Sequence, residues 1–214
     1  AARYLASSGI ADPKRIAIVG WSYGGYAALQ AAETQPGLYK AVAAVAPVTD
    51  LALVKEESRY FSNMKQVAEE IGSGPHVAEG SPINGAARIA APVLLAHGDL
   101  DINVGIRHSD RMEAALKRSG KTVEYIRMKG LDHQLADGTA RATMLLKIGQ
   151  LLDQALPAIS LSNPGLVRAV HEDVDLADLP ALTAFARSTF GGAWDGEVAG
   201  SVGRDSGDNL GGSP

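Results

Sequence analysis

The sequence predicts an α/β protein in which a parallel sheet is flanked by helices. Short apolar runs alternate along the chain with segments of helical length and composition. The apolar runs lack the alternation of half-exposed strands, which is typical of parallel strands covered on both faces. A G-x-S-x-G motif also stands where one of these runs meets a helical segment, a position that this motif favours in α/β proteins.

Composition narrows the class of protein further. The 214 residues suffice for one domain with a sizeable core, and a hydrophobic fraction of 46% is typical of globular chains. A net charge of −4 without a Lys/Arg block argues against nucleic acid or a membrane surface as the main partner. No apolar run approaches the roughly 18 residues of a membrane span.

Location is left open by the sequence. The chain has no cysteine, which excludes disulfides and thiolate metal sites but does not decide the compartment. No signal-peptide pattern is visible, and the chain begins without Met. A cytoplasmic location and, if an upstream signal is missing, a periplasmic or secreted one are both compatible with these features.

The first half of the chain predicts two strands with helices around them. Gly9 ends the first helix because a left-handed cap costs glycine little. Asp50 suits the N-cap of the helices that follow the second strand. The predicted elements are a helix at 1–8, a strand at 15–20, a helix at 24–34, a strand at 41–48, one or two helices from Asp50 to about Ile71 and a loop at 72–85.

The second half repeats the alternation and then changes character. Its elements are a strand at 91–97, an amphipathic helix at 105–119, a strand at 122–128 and a long helix at 137–156. Residues 176–190 could form one more amphipathic helix, and the last 24 residues contain eight glycines. A faint likeness of this tail to the opening of an acetyltransferase domain lacks the expected phosphate loop. We therefore expect 157–214 to be a largely disordered or non-native tail.

The motif Gly20-Trp21-Ser22-Tyr23-Gly24 is the strongest chemical signal. A tight turn from strand to helix would strain the serine backbone and project its hydroxyl above the sheet. We expect Gly20 and Gly24 to be required because side chains there would clash. The Tyr23 N–H would point to a developing oxyanion, aided by the helix dipole. The alternative is a glycine-rich turn that only packs well or binds phosphate.

A serine hydroxyl needs a general base, and the chain offers five histidines. Reactive groups of such sheets lie at the carboxyl ends of the strands. His133, in GLDHQ after the fourth strand, is at such an end and is the predicted base. The others are weaker candidates: His97 beside a chain-turning Gly98, His108 as a packed or solvated helix residue, and His76 and His171 in irregular sequence.

The base in turn needs an orienting carboxylate. The loop HGDLDINV after the third strand offers Asp99 and Asp101. Asp99 is interpreted as a turn residue, Asp50 as a helix cap, and Asp132 would point away from its neighbour His133. We favour Asp101, with Asp99 as the next candidate.

Four separated blocks carry a family resemblance: GWSYGGYAAL, VAPVTDL, SPI followed by APVLLAHGDLDINV, and GLDH. With 79 residues from Ser22 to Asp101 and 32 from Asp101 to His133, they resemble the catalytic domain of the prolyl oligopeptidase family of serine peptidases. The dipeptidyl-peptidase and acylaminoacyl-peptidase branches look most similar. The resemblance covers 1–156 and implies an α/β-hydrolase fold.

The resemblance also implies roles for individual residues. Ser22 would be the nucleophile, Asp101 the acid and His133 the base, while Tyr23 would donate its N–H to the oxyanion and line the pocket for the side chain before the scissile bond. The remaining substrate-binding positions are Asn103 and Val104, which match family positions at the substrate backbone and pocket, and Leu51 and Val54, which replace aromatic residues of some relatives. These replacements predict a broader apolar pocket and no strict proline selectivity.

Parts of the family architecture lie upstream of the nucleophile strand, namely a second oxyanion donor and a β-propeller. The resemblance therefore implies that 1–156 is the C-terminal part of a hydrolase domain whose N-terminal strands are absent from the chain. The absence of these strands would leave the edge of strand 15–20 exposed, which is an aggregation hazard.

The predicted function is hydrolysis of short peptides through an acyl-enzyme. No metal or organic cofactor is implied, a peptide substrate is the expected partner, and oligomerisation is left open. The alternatives are a carboxylesterase or thioesterase with the same residues, or a catalytically silent fragment.

Overall fold

A computed structural model describes residues 1–156 of the chain. In this part of the chain, four strands form one sheet in the order of the sequence, and every neighbouring pair is parallel. The strands are β1 (Ile18–Trp21), β2 (Val42–Val45), β3 (Val93–Gly98) and β4 (Val123–Met128). The predicted α/β fold with a parallel sheet is confirmed, whereas the predicted helix at 176–190 lies outside the described residues.

Helices connect and cover the strands. They are α1 (Ala2–Ser7), α2 (Tyr23–Thr34), α3 (Leu51–Glu57), α4 (Met64–Ile71), α5 (Pro75–Glu79), α6 (Arg107–Arg118) and α7 (Gly138–Ala155), with 3₁₀ segments at Ser58–Tyr60 and Pro82–Arg88. The prediction of a loop at 72–85 was wrong, because Pro75 and Pro82 each stand in the first turn of a helical segment, where proline needs no N–H partner.

Among the described residues, one apolar cluster lies on each face of the sheet. On one face, Leu29 of α2 and Met112 of α6 pack with the Leu95 side of β3. On the other, Met144 of α7 packs with Leu94 and its neighbours. Both β2 and β3 are buried along their whole length, which explains why their sequences are apolar without alternation.

The two edges of the sheet differ from this buried centre. Val19 of β1 is 50% exposed, and among the described residues β1 pairs only with β2. Aggregation through this edge stays a prediction. Among residues 1–156, none of the helices combines the length and apolar character needed to cross a membrane.

Parallel pairing brings the carboxyl ends of all four strands to one edge of the sheet. The loops that leave this edge contain Ser22 after β1, Asp101 after β3 and His133 after β4. Residues 111 positions apart in sequence can therefore meet, and His133 Nε2 lies within hydrogen-bonding distance of Ser22 Oγ.

Candidate active site

Ser22 occupies the single residue between β1 and α2, in a conformation rare for a residue with a side chain. Its φ is 58° and its ψ is −119°. The backbone is held from both sides, since Ser22 N–H donates to the Val45 carbonyl at 2.8 Å and the Ser22 carbonyl accepts from Tyr26 N–H at 3.1 Å. Such strain persists only where surrounding bonds over-determine the geometry, and it is a feature of functional turns.

The predicted clash is found at one of the two glycines of the G-x-S-x-G motif. A Cβ on Gly20 would lie 2.0 Å from the Gly24 carbonyl oxygen, so Gly20 is indispensable. A Cβ on Gly24 would meet nothing within 4 Å, so the predicted clash at Gly24 was wrong. The close approach instead falls one residue later, where a Cβ on Gly25 would lie 3.0 Å from Pro47 Cβ.

Ser22, His133 and Asp101 lie in one hydrogen-bonded chain. His133 Nε2 is 3.0 Å from Ser22 Oγ, and His133 Nδ1 is 2.6 Å from Asp101 Oδ2. A carboxylate can only accept, so Nδ1 carries the proton and Nε2 is left to accept from the serine hydroxyl. This arrangement can remove a proton from Ser22 and place the resulting positive charge beside a carboxylate.

Asp101 is buried and fully hydrogen-bonded. Its Oδ1 accepts from Asn103 N–H and from Val104 N–H, both at 2.9 Å. Burial by itself raises the pKa of Asp101, but hydrogen bonds from His97, Val104 and His133 outweigh it and lower the pKa to about 2. The carboxylate is therefore ionised at neutral pH and fixed in one orientation.

His97 is a second imidazole on Asp101, and its contact was missed from the sequence. Its Nε2 lies 2.9 Å from the Val104 carbonyl and 3.2 Å from Asp101 Oδ2. Both neighbours are acceptors, so Nε2 carries the proton, and Nδ1 accepts from the Ser109 hydroxyl at 2.7 Å. His97 is completely buried and does more than turn the chain at the end of β3. Its position four residues before Asp101 was the available signal.

Two loops are held against each other so that Asp101 and His133 can meet. Leu100 N–H donates to the Leu131 carbonyl at 2.9 Å. A Cβ on Gly98 would lie 2.2 Å from the same carbonyl, so only glycine allows this approach. On the other side, Trp21 Nε1–H donates to the His133 carbonyl at 3.3 Å, which ties the His133 loop to the Ser22 turn.

The other candidate carboxylates have different partners. Asp99 Oδ1 accepts from Gly130 N–H at 2.6 Å, and Asp132 Oδ1 accepts from Gln134 N–H at 3.0 Å. Asp50 caps α3 by accepting from two backbone N–H groups of its first turn, and it pairs with Arg111 at 3.0 Å. Within residues 1–156, no cluster of three or more histidine and carboxylate side chains is placed to hold a metal ion.

A small cavity of about 140 Å³ lies beside the Asp101 loop. Three of the predicted substrate-binding residues, Val54, Asn103 and Val104, line it, whereas Leu51 and Tyr23 do not. The Tyr23 side chain is 75% exposed, and its N–H, at the first position of α2, has no acceptor within the helix. A wider groove of about 650 Å³ adjoins the cavity and includes Asp101 and Ile102 in its lining.

Comparison with known proteins gives consistent matches over the described residues. Residues 1–157 match the family model for the prolyl oligopeptidase family. Dipeptidyl peptidase 4 of Felis catus is 28% identical over 155 residues, which cover 72% of this chain and 20% of the relative. An uncharacterized peptidase of Bacillus subtilis, YuxL, is 26% identical over 134 residues, covering 58% of this chain and 19% of that protein.

Two solved structures share the fold with comparable identity. A Mycobacterium tuberculosis puromycin-hydrolyzing peptidase superposes with a TM-score of 0.66 at 30% identity, over 74% of this chain and 24% of that one. Porphyromonas gingivalis dipeptidyl peptidase 4 gives a TM-score of 0.63 at 26% identity, over 72% of this chain and 22% of that one. This chain spans about a fifth of the length of the curated relatives it matches.

Proposed function

The chain belongs to the prolyl oligopeptidase family, and from that premise we propose that it is a serine peptidase acting on short peptides. In this proposal Ser22 is the nucleophile, His133 the general base and Asp101 the orienting carboxylate. The observation that carries it is the continuous hydrogen-bonded chain from Ser22 Oγ through His133 to Asp101.

The reaction runs through an acyl-enzyme. His133 Nε2 takes the Ser22 hydroxyl proton as Oγ attacks the scissile carbonyl carbon, and Asp101 stabilises the imidazolium. The imidazolium then gives its proton to the leaving amine, the C–N bond breaks, and the acyl group stays on Oγ. Water repeats the sequence with His133 as base, which releases the carboxylic acid and restores Ser22.

Tyr23 contributes through its backbone. Its N–H is proposed as a donor to the oxyanion of the tetrahedral intermediate, and the positive end of α2 adds to the stabilisation. Tyr23 directly follows Ser22 at the first position of α2, where its N–H has no acceptor within the helix, and this supports the role. A donor of this kind is worth roughly 10²–10³ in rate.

The cavity beside the Asp101 loop is proposed as the pocket for the side chain before the scissile bond. Val104 links the two features, because its N–H donates to Asp101 Oδ1 and its side chain lines the cavity. Val54 of α3 also lines the cavity, at a position where the family resemblance implies an aromatic residue in some relatives. A pocket of this kind accepts side chains larger than proline.

Turnover of matched amide and ester substrates tests the proposal. We expect hydrolysis of peptidyl 7-amido-4-methylcoumarins and of p-nitrophenyl esters, both abolished by Ser22→Ala and unchanged by Ser8→Ala at an exposed serine of the N-terminal region. Ester hydrolysis without amide hydrolysis would show that the chain is an esterase and not a peptidase. Activity that survives Ser22→Ala would contradict the proposed nucleophile.

A further inference from the structure

The size of the cavity beside the Asp101 loop suits one aromatic ring. Its volume is about 140 Å³. An apolar protein cavity of about 150 Å³ is large enough to bind benzene. Much of the wall is apolar, and its apolar members are Val48, Val54, Phe61, Val67 and Val104.

The lining of this cavity also includes five polar residues, Glu57, Ser58, Asn63, Asn103 and His108. Ser58 is buried, and its hydroxyl already donates to the Lys55 carbonyl at 3.1 Å. Glu57 Oε2 accepts from Gly105 N–H at 3.2 Å, and its side chain is 20% exposed. His108 Nε2 lies 3.6 Å from the same Oε2, too far for a hydrogen bond, and has no partner among the described residues. Arg107 Nη1 is 3.8 Å from Glu57 Oε1, but Arg107 does not line the cavity.

The hydrogen bonds of His108 fix which ring nitrogen carries the proton. Thr49 N–H donates to His108 Nδ1 at 3.1 Å, so the neutral ring has its proton on Nε2. Burial lowers the pKa of His108 to about 4 although nearby Asp50 opposes the shift, so the ring is neutral at neutral pH. The wall of the cavity therefore holds a buried N–H donor without a partner next to a carboxylate acceptor.

A hydroxyl group complements this pair better than other side-chain groups do. It can donate to the Glu57 carboxylate and accept from His108 Nε2–H. A phenyl ring would leave His108 Nε2–H without an acceptor, an ammonium group also offers no acceptor for Nε2–H, and a second carboxylate would face Glu57. A glutamine amide offers a donor and an acceptor but does not fill a cavity of aromatic size.

We propose that this cavity selects tyrosine at the position before the scissile bond, with Glu57 and His108 binding the phenol hydroxyl. The inference rests on the proposed peptidase function, and it sharpens the broad apolar pocket that the sequence predicts. It makes Glu57 and His108 specificity-determining residues of this chain.

The direct test is the ratio of kcat/KM for substrates that differ only by tyrosine, phenylalanine, glutamine or lysine at this position. We expect a preference of about 10- to 100-fold for tyrosine over phenylalanine, because a hydrogen bond to a charged group is lost with the hydroxyl. Glu57→Gln should reduce the ratio to within a few-fold of unity. Glu56→Gln is the matched control, since Glu56 is the adjacent carboxylate of α3 and does not line the cavity. Because both rates come from one preparation, a loss of folded protein cancels in the ratio.

Binding of side-chain analogues separates this inference from the proposed function. p-Cresol and toluene are titrated while NMR follows the methyl groups of Val54 and Val104, with no turnover required. We expect p-cresol to bind about tenfold more tightly or better, and Glu57→Gln to remove the difference. A preference for phenylalanine substrates or for toluene would overturn the inference. A chain that binds p-cresol selectively but hydrolyses no substrate would overturn the proposed function and support the pocket's preference.

Discussion

Two regions of the molecule place an imidazole beside a carboxylate, and they differ in whether the pair is satisfied. His133 Nδ1 and Asp101 Oδ2 are 2.6 Å apart, and Asp101 also accepts from two backbone N–H groups of its own loop. His108 Nε2 and Glu57 Oε2 are 3.6 Å apart, and Nε2 has no partner among the described residues. A fully hydrogen-bonded pair fixes one geometry for chemistry, whereas an imidazole N–H without a partner beside a cavity is available to a ligand.

The largest effect is expected from a substitution that breaks the pair of His133 and Asp101. Asp101→Asn should lower kcat by roughly 10⁴, because the amide favours the wrong tautomer of His133 and cannot stabilise the imidazolium as a carboxylate does. Steady-state kinetics on the best substrate measures the loss. Asp99→Asn is the matched control, since Asp99 lies in the same loop but accepts from Gly130. A near-normal rate for Asp101→Asn, or a similar loss for Asp99→Asn, would show that Asp101 is not the specific orienting carboxylate.

His97 sharpens the comparison because its Nε2–H is an additional side-chain contact that holds Asp101 beside His133. His97→Phe keeps most of the volume but removes the Nε2–H beside Asp101 Oδ2, so Asp101 can shift against His133. We expect kcat to fall by about 10- to 100-fold with little change in KM, since small misplacements of catalytic groups cost about this much.

Rescue distinguishes positioning from general destabilisation. His97→Gln retains an N–H near the position of Nε2 and should recover most of kcat. Ser109→Ala removes only the bond to His97 Nδ1 and should cost less than His97→Phe. Equal losses in all three variants at equal folded fraction would argue against a role through Asp101.

The smallest effect concerns the stability of the fold and arises from the burial of His108. The pKa of His108 is lowered from 6.5 to about 4 by burial, so between these values the unfolded chain binds more protons than the folded chain. Stability from the neutral ring is complete above pH 6.5 and is lost as the pH falls towards 4. The free energy of unfolding should drop by about 2 kcal/mol from pH 7 to pH 5.

Urea unfolding at the two pH values measures this drop. His108→Phe should remove it, whereas His76→Phe at an exposed histidine should not. The corresponding change for Asp101, whose pKa is lowered to about 2, falls below pH 4 and does not contribute in this window. If the free energy of unfolding of His108→Phe drops by the same amount from pH 7 to pH 5, groups other than His108 cause the drop.

The sequence predicted the features that depend on local pattern. Apolar runs without alternation identified β1, β2 and β3, and the fourth strand was predicted at 122–128 although it contains Glu124 and Arg127. The strand-end positions of Ser22, Asp101 and His133 follow from the parallel sheet. Asp50 accepts from backbone N–H groups at the start of α3, as predicted for an N-cap.

Features that depend on packing between distant elements could not be predicted in this way. The bond of His97 to Ser109 requires the exact seating of α6 on β3, and Glu57 meets His108 only because α3 and α6 approach each other. The tolerance at Gly24 likewise depends on where the Cβ of one turn residue points, which the motif does not encode.

The role of Ser22 as the nucleophile is tested most directly by covalent labelling of the chain with a fluorophosphonate probe, with the modified residue located by tandem mass spectrometry. An activated serine in a Ser-His-Asp arrangement attacks phosphorus as it would a carbonyl carbon. We expect one adduct per chain, on Ser22, that disappears in Ser22→Ala and forms far more slowly in Asp101→Asn. No adduct, or an adduct on another serine, would contradict this role.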